Sequence, residues 1–399
     1  MRGVTKIVKV LILTDTLYPS SNAVSVRIQF IAKLIKRAGN EVKVYSRSKL
    51  KSGIHDEIEF VSLRGKYKSK FGLAWIYFVK MPSIFSKKIR EEKPDVIMVY
   101  NTTIFMFLML LRLQKKEEFT LVKECLEWYS KEESTPFSFE RIRYYVSDLK
   151  NRFITPKISY LTVISRYFQN YFSKNGNSCC YLPAMCDVNK IKFTKKTEEN
   201  KIIILYAGSP QKKDIFDTII RSMQSLNKEQ KDKMVLRIIG ATKQEIATNA
   251  NVTVNNIDEL GDCIEFLPRM PHDKIFEQLQ KADFTILIRP HDLRYAKAGF
   301  PTKVPESLVT GTPIICNLTS DLKDFLTDGY DSIIARDESV DSVKRALERA
   351  IELSKEERNM MYENARHTAE EKFDYRLFET SVEEFFDNIN RACKRRKNG

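Results

Sequence analysis

The sequence lacks the patterns on which disulfide-bonded, zinc-binding and membrane-spanning proteins depend. Its 399 residues include 7 cysteines and 4 histidines, and no two cysteines have the C-x-x-C spacing, so we expect neither a disulfide framework nor a metal site. The longest apolar run, residues 104–111, is far shorter than the ~20 residues that cross a bilayer. The first residues pass from a basic lead into a strand pattern without a cleavage site, which predicts a cytoplasmic protein.

The basic charge is concentrated in the first 180 residues. They hold 32 Lys and Arg against 16 Asp and Glu, a net charge of +16, whereas the whole chain has +15. Two of the basic segments, residues 66–71 and 141–145, also contain aromatic side chains. Such a surface is typical of proteins that bind anionic lipid or nucleic acid, and an ordinary solvated surface also explains it. Because no nucleic-acid-binding signature is present, we favour an anionic membrane surface and no nucleic acid.

Short apolar runs alternate with amphipathic segments and predict an α/β protein of two halves. A charged, glycine-free connector at residues 188–201 marks the boundary between them. The first half is predicted to contain strands at residues 7–13, 41–45, 95–100, 121–125 and 161–164, and helices at residues 25–37 and 166–174. The second is predicted to contain strands at residues 202–206, 235–239, 264–267, 284–288 and 312–316, and helices at residues 215–226, after Pro271 and at residues 376–392.

The segment 284–317 is the most informative part of the chain. A strand closes at Arg289, a polar loop follows, and residues 298–303 lead into a short helix with Pro305 predicted as its first residue. Backbone N–H groups at such a helix start bind phosphate. Glu306, within the first turn, has the chemistry to hold ribose hydroxyls. An ordinary strand–helix–strand crossover is the alternative.

A second loop, after the strand at residues 202–206, predicts another anion site. Gly208 forms the turn, and Lys212 and Lys213 precede the next helix. A cation here would stabilise the negative charge that develops on a departing nucleotide. We therefore predict that Lys213 is catalytic because it stabilises the leaving group. The alternative is that this loop is a solvent-exposed turn.

Two loops of the first half are candidates for the acceptor side. Asp15 and Asn22 follow the first strand, at the edge where ligands of parallel sheets bind; a plain surface loop is the alternative. Glu127 and Trp128 follow the strand at residues 121–125. Glu127 is predicted to remove a proton from an acceptor hydroxyl or to orient the acceptor, and Trp128 to stack on a sugar ring. The alternative is a half-buried carboxylate beside a core tryptophan.

The motif A-G-F-P-T-K-V-P-E-S-L-x-x-G-T-P-I-I, which begins at Ala298, resembles the donor-site signature of the family 4 retaining glycosyltransferases. The resemblance implies the GT-B fold: two Rossmann-like doubly wound α/β domains facing across a cleft, with a C-terminal helix crossing back. It places an acceptor-binding domain at residues 1–187, a donor-binding domain at residues 188–375, and the crossing helix with a basic tail at residues 376–399.

The resemblance also implies roles for individual residues. The second glutamate of the family motif, which faces the ribose, matches Glu306, whereas the first falls on Ala298. Ser209 replaces the arginine that usually follows the glycine of the second loop. The residues that would bind the donor are Gly208, Lys212, Lys213, Arg289, Gly299, Phe300, Pro301, Thr302, Lys303 and Glu306.

Members of this family use a nucleotide-diphosphate sugar as co-substrate, retain the anomeric configuration and need no metal or other cofactor. The resemblance therefore implies sugar transfer to an acceptor hydroxyl in surface polysaccharide or glycolipid assembly. The basic first half predicts a saccharide or lipid-linked saccharide acceptor and a peripheral location at the inner face of the cell membrane. A GT-B nucleotide-sugar epimerase or hydrolase remains an alternative. So does a non-catalytic nucleotide-sugar-binding protein, which Ala298 favours.

Overall fold

The computed structural model of the chain describes residues 7–63, 81–135, 137–194, 200–208, 213–249 and 252–398. The basic segment 66–71 and the loop residues Ser209 and Lys212 lie outside these ranges. Within them, no helix is both long and apolar enough to cross a membrane. The chain forms two compact units, Met1–Pro183 with Tyr375–Gly399, and Ala184–Asp374.

The described part of the first unit contains an eight-stranded sheet in the order β3-β4-β2-β1-β5-β6-β7-β8. All neighbouring strands are parallel except β3 and β4. The strands are β1 Lys9–Thr14, β2 Glu41–Ser46, β3 Gly53–His55, β4 Ile58–Ser62, β5 Val96–Tyr100, β6 Thr120–Cys125, β7 Tyr160–Val163 and β8 Ser178–Tyr181. The helices are α1 Ala23–Arg37, α2 Met81–Glu92, α3 Ile104–Glu117, α4 Phe139–Leu149 and α5 Arg166–Lys174.

The described part of the second unit contains a six-stranded parallel sheet in the order β11-β10-β9-β12-β13-β14. Its strands are β9 Ile202–Ala207, β10 Met234–Ile239, β11 Ile264–Leu267, β12 Phe284–Leu287, β13 Ile314–Asn317 and β14 Ser332–Ala335. Its helices are α6 Phe216–Gln224, α7 Lys228–Asp232, α8 Lys243–Asn249, α9 Val254–Asp258, α10 His272–Lys281, α11 Arg294–Ala298, α12 Lys303–Leu308, α13 Val340–Glu352 and α14 Lys355–Thr368. The last helix, α15 Glu379–Asn398, belongs to the first unit.

The apolar periodicity of the sequence explains these elements. On α1, Ile28, Ile31 and Leu34 recur at helical spacing and are buried, which packs one face of the helix into the core. Central strands such as β5 are buried along their whole length, as expected for a parallel sheet covered on both faces. The predicted α/β class is confirmed.

Three local predictions differ from the structure. The unit boundaries follow residues 183 and 374, whereas the sequence analysis placed them after residues 187 and 375. Part of the predicted polar loop after Arg289 is the helix α11. Pro305 is the third residue of α12, not the first. A proline is tolerated there because N–H groups in the first turn of a helix have no partner within the helix.

A buried ion pair joins α1 to the sheet of the first unit. Arg27 Nη2 lies 2.6 Å from Glu124 Oε1, and both side chains are almost inaccessible to solvent. The guanidinium also donates to the carbonyl oxygens of Leu182 and Pro183, each at 2.7 Å. Glu124 accepts a further hydrogen bond from the Thr162 hydroxyl. Arg27 therefore joins α1 to Leu182 and Pro183, the last two residues of the segment Met1–Pro183.

Replacing Arg27 by leucine should leave the Glu124 carboxylate buried without its cation. We expect the free energy of unfolding to fall by about 3–5 kcal/mol, measured by urea denaturation followed by circular dichroism. The double variant Arg27→Leu/Glu124→Leu should regain most of the loss, because it removes the unpaired charge. If the single variant is as stable as the double variant, the ion pair does not have this role.

Candidate active site in the second unit

The second sheet has a topological switch point between β9 and β12. The chain places β10 and β11 on one side of β9, then β12, β13 and β14 on the other. Ligands of open parallel sheets bind beyond the carboxyl ends of the strands at such a point. Gly208 directly follows β9, and Arg289 lies just beyond the end of β12. The loops that begin at Gly208 and at Arg289 are both predicted to bind the donor, and they start at the same edge of the sheet.

Asp214 joins two cations and a phenol at this point. Its carboxylate accepts hydrogen bonds from Lys303 Nζ at 2.6 Å, from the Tyr206 hydroxyl at 2.6 Å and from Arg289 Nε at 3.1 Å. Burial by itself raises the pKa of this carboxyl, but the charges of Lys303 and Arg289 hold that pKa well below its usual range. Asp214 is therefore ionised at neutral pH and fixes the position of both cations.

Gly208 provides the space that Lys303 occupies. Its φ of +138° favours glycine, and a Cβ atom at this position would lie only 3.2 Å from Lys303 Cε. The Nζ of Lys303 also lies 3.9 Å from the centroid of the Tyr206 ring, within the range of a cation–π interaction. A side chain at position 208 would push the lysine away from Asp214, so the glycine is part of the site.

The loop before α12 supplies fewer backbone donors than the sequence predicts. The N–H groups of Phe300, Thr302 and Lys303 donate no hydrogen bond to any described residue, so they are available to an anion. The Gly299 N–H donates to the carbonyl of Tyr295 at 2.9 Å, and Pro301 has no N–H. Gly299 and Pro301 therefore shape the loop but do not donate to a ligand.

Glu306 is half-buried in the first turn of α12. Its carboxylate makes no hydrogen bond or ion pair with any residue that the structure describes. Burial raises the pKa of Glu306 to about 7, against the opposing effect of the Lys303 charge. A carboxylate that is partly buried and has no partner among the described residues is well suited to accept hydrogen bonds from ligand hydroxyls.

One side chain at the end of a strand and one on a helix fix Arg289 and the loop of Lys213. The amide of Asn317, the last residue of β13, accepts from the Arg289 N–H at 2.9 Å and donates to the Arg289 carbonyl at 2.6 Å. The Tyr295 hydroxyl donates to the Lys213 carbonyl at 3.4 Å. Lys213 thus lies next to Asp214 in the same loop, whereas Lys212 falls outside the described residues.

The first unit has its own switch point, between β1 and β5. Asp15 follows β1 there, and burial raises its pKa to about 6, opposed by the charges of Arg47 and Lys150. Burial and the charge of Lys123 lower the pKa of Lys150 to about 8. Asn22 instead caps α1, because its side chain accepts from the Ser25 N–H at 2.8 Å. The structure thus gives Asn22 a local structural role, and Asp15 the position predicted for a ligand contact.

Glu127 and Trp128 occupy different environments. Glu127 is exposed and accepts from the Tyr129 hydroxyl at 2.8 Å. Trp128 is only 2% exposed, stacks on Phe168 of α5 with ring centroids 5.8 Å apart, and donates from Nε1 to Asp148. The prediction that Trp128 is a sugar platform is therefore wrong, because core side chains cover its ring.

Sequence reasoning missed Asp214, Tyr206 and Asn317. Asp214 stands directly after two lysines at a predicted helix start, so its negative charge was a signal that the loop is not purely cationic. Asn317 stands at the carboxyl end of a predicted strand, where polar side chains cluster in parallel sheets. Tyr206 carried no signal, since a tyrosine inside an apolar run is typical of a core strand.

Comparisons with known proteins show similarity to glycosyltransferases. Residues 187–368 match the model of the family "Glycosyl transferases group 1". An uncharacterized glycosyltransferase of Methanocaldococcus jannaschii is 22% identical over 260 residues, which cover 62% of this chain and 63% of that protein. The chain thus matches less than two thirds of this relative's length.

Several solved structures share the fold of the chain. Anabaena HepE in complex with UDP and glucose matches with a TM-score of 0.66 and 14% identity, over 96% of this chain and 100% of HepE. WaaG, a glycosyltransferase involved in lipopolysaccharide biosynthesis, matches with a TM-score of 0.62 and 15% identity, over 94% of this chain and 99% of WaaG. The predicted GT-B fold is confirmed.

Replacing Asp214 by asparagine should destabilise the second unit in a pH-dependent way. At pH 7 we expect a loss of about 1.5–3 kcal/mol in the free energy of unfolding, because two cations lose their shared anion. A carboxylate with a depressed pKa stabilises the fold above its ordinary pKa of about 3.9, and this contribution is lost in acid.

Urea denaturation at pH 7 and near pH 3, with Asp217→Asn as the control variant, measures this effect. The difference between wild type and Asp214→Asn should shrink at the lower pH. An equal difference at both pH values would show that Asp214 acts through packing and not through charge.

Proposed function

We propose that this chain, whose residues 187–368 carry a glycosyltransferase group 1 domain, transfers a sugar from a nucleotide-diphosphate donor to an acceptor hydroxyl with retention of configuration. The observation that carries the proposal is the convergence of Arg289, Lys303 and Glu306 at the switch point of the second sheet. The two cations match the diphosphate of such a donor. The carboxylate, which has no partner in the part of the chain that the structure describes, matches the ribose.

The cations would hold the diphosphate and stabilise its developing charge. Lys303 and Arg289 together carry two positive charges, of which Asp214 neutralises one. A diphosphate brings more negative charge than Asp214 and therefore competes for both cations. Because the cations are already positioned, little reorganisation is needed as the bond to the sugar breaks. Lys213, which precedes Asp214 in the loop after β9, adds a further positive charge. We propose that the transfer needs no metal.

The ribose would lie at Glu306. The N–H groups of Phe300, Thr302 and Lys303 point to an anion beside the same helix start, since a helix N-terminus favours negative charge. A donor would then place its diphosphate at these N–H groups and its ribose hydroxyls on the Glu306 carboxylate. Anabaena HepE has been solved in complex with UDP and glucose, and UDP is therefore the first nucleotide to test.

The acceptor would bind in the first unit. We propose that Glu127 orients an acceptor hydroxyl or takes its proton, and that Asp15 contributes a polar contact at the switch point of that sheet. The acceptor is proposed to be a saccharide or lipid-linked saccharide in surface polysaccharide or glycolipid assembly. The role of WaaG in lipopolysaccharide biosynthesis and the +16 charge of residues 1–180 support this proposal and a place at an anionic membrane.

A thermal-shift panel of nucleoside diphosphates and nucleotide-sugars tests donor binding, because a ligand of the folded state raises the unfolding temperature. Incubation of the best donor with and without candidate acceptors then separates transfer from hydrolysis or epimerisation. Product anomers identified by NMR test retention, and EDTA treatment tests independence from metal. No shift with any nucleotide would contradict the proposal.

Replacing Glu306 by alanine should weaken nucleotide-sugar binding roughly 10- to 100-fold, because a charge-assisted hydrogen bond contributes about 1.5–3 kcal/mol. With a pKa of about 7, the carboxylate becomes protonated as the pH falls from 8 to 6. Affinity should therefore drop by up to about tenfold over this range.

A nucleotide-sugar suits this measurement because its diphosphate has no terminal phosphate that titrates near neutral pH. Glu306→Gln should abolish the pH dependence in calorimetry, whereas Glu356→Gln, an exposed control on α14, should keep it. An unchanged affinity in Glu306→Ala would contradict the ribose assignment.

Replacing Lys213 by alanine should reduce turnover more than it weakens binding of a free nucleoside, because the lysine would interact with leaving-group charge. Calorimetry with the nucleoside and steady-state kinetics with the nucleotide-sugar provide the comparison. Lys281→Ala, an exposed control on α10, should alter neither. Equal effects on nucleoside binding and on turnover would place Lys213 away from the diphosphate.

A further inference from the structure

Helix α4 turns an apolar face toward solvent. Phe139 is 92% exposed and Ile142 61% exposed, and Val146 on the same stripe is also exposed. The opposite face carries Tyr144, which is buried and stacks on Tyr129 with ring centroids 4.2 Å apart. An ordinary surface helix buries its apolar stripe in the core, so α4 has the reverse arrangement.

The apolar stripe continues beyond both ends of the helix. Of the eighteen large hydrophobic side chains that are exposed in the described residues, six fall within residues 137–153. We call these six the α4 patch: Phe137, Phe139, Ile142, Tyr145, Val146 and Phe153. Soluble proteins rarely expose clustered aromatic and aliphatic side chains unless another surface covers them.

Cationic side chains border the α4 patch. Arg143 is exposed and lies 5.5 Å from the Tyr144 ring, and Lys131 Nζ lies 5.9 Å from the Tyr145 ring. Arg152, also exposed, follows the helix. Residues 137–157 contain five basic and two acidic side chains. An apolar stripe with cations along its edges is the pattern of helices that lie in the interface of an anionic bilayer.

We propose that the α4 patch docks onto an anionic lipid bilayer, with its apolar side chains among the lipid headgroups and acyl chains. Charge favours this occupant over a second copy of the chain. In a two-fold dimer the same basic patch would face itself, and like charges would repel. An anionic bilayer complements both the apolar stripe and the cations around it.

The α4 patch is joined to the residue proposed to act on the acceptor. The Tyr129 ring stacks on Tyr144 of α4, and the Tyr129 hydroxyl donates to Glu127 at 2.8 Å. A bilayer that holds α4 would therefore lie close to Glu127. We infer that the acceptor is a lipid-anchored saccharide at the membrane surface, and this part of the inference rests on the proposed function.

Flotation of the full chain with lipid vesicles tests the docking surface. The wild type should float with vesicles of phosphatidylcholine and phosphatidylglycerol, and much less with phosphatidylcholine alone. The variant Phe139→Ser/Ile142→Ser should lose at least about tenfold in lipid partitioning, because two inserted side chains are removed. The control Phe105→Ser/Leu108→Ser, on α3 with residues 46% and 42% exposed, should float as the wild type does.

Three results would overturn the proposal. The first is a wild type that does not float with anionic vesicles, and the second is a control variant that loses as much binding as the α4 variant. The third is a dimer in sedimentation analysis that Phe139→Ser/Ile142→Ser dissociates, which would make the patch an interface between copies. Titration of UDP in parallel separates the two proposals: flotation without nucleotide binding contradicts only the proposed function, and nucleotide binding without flotation contradicts only the docking surface.

Discussion

The charged part of the second unit depends on one buried carboxylate, that of Asp214. It brings together groups from three separate segments: Tyr206 on β9, Arg289 beyond β12 and Lys303 at the start of α12. Without an anion between them, the lysine and the arginine would repel each other in a poorly solvated place. Gly208 completes the arrangement by leaving space for the lysine.

The sheet topology explains why these groups meet. The β9 and β12 strands are parallel neighbours on either side of the switch point, so their carboxyl ends open at one edge. Asp214 leaves one net positive charge on the three ionised groups, and Glu306, with a pKa of about 7, is only partly charged at neutral pH. The site therefore favours a ligand with a negative part and a neutral, hydroxyl-bearing part.

Much of the fold and the place of the site could be predicted from the sequence. Apolar runs such as residues 202–206 and 264–267 have the length and flanking residues of buried strands, and the motif around Glu306 predicted the loop to which Lys303 and Glu306 belong. The Asp214 network could not be predicted, because its members are up to 97 residues apart in the chain and meet only through strand order. The burial of Trp128 and the exposed apolar face of α4 also could not be predicted from the sequence. Residue type alone does not say which aromatic side chain is in the core and which faces solvent.

A crystal structure of the chain with bound UDP would show directly whether the Asp214 network and Glu306 bind a nucleotide. We expect phosphate oxygens within hydrogen-bond distance of Lys303 and Arg289, about 2.7–3.2 Å, and ribose hydroxyls on the Glu306 carboxylate. A nucleotide bound elsewhere, with both cations still paired with Asp214 and no ligand hydroxyl on Glu306, would rule out this assignment.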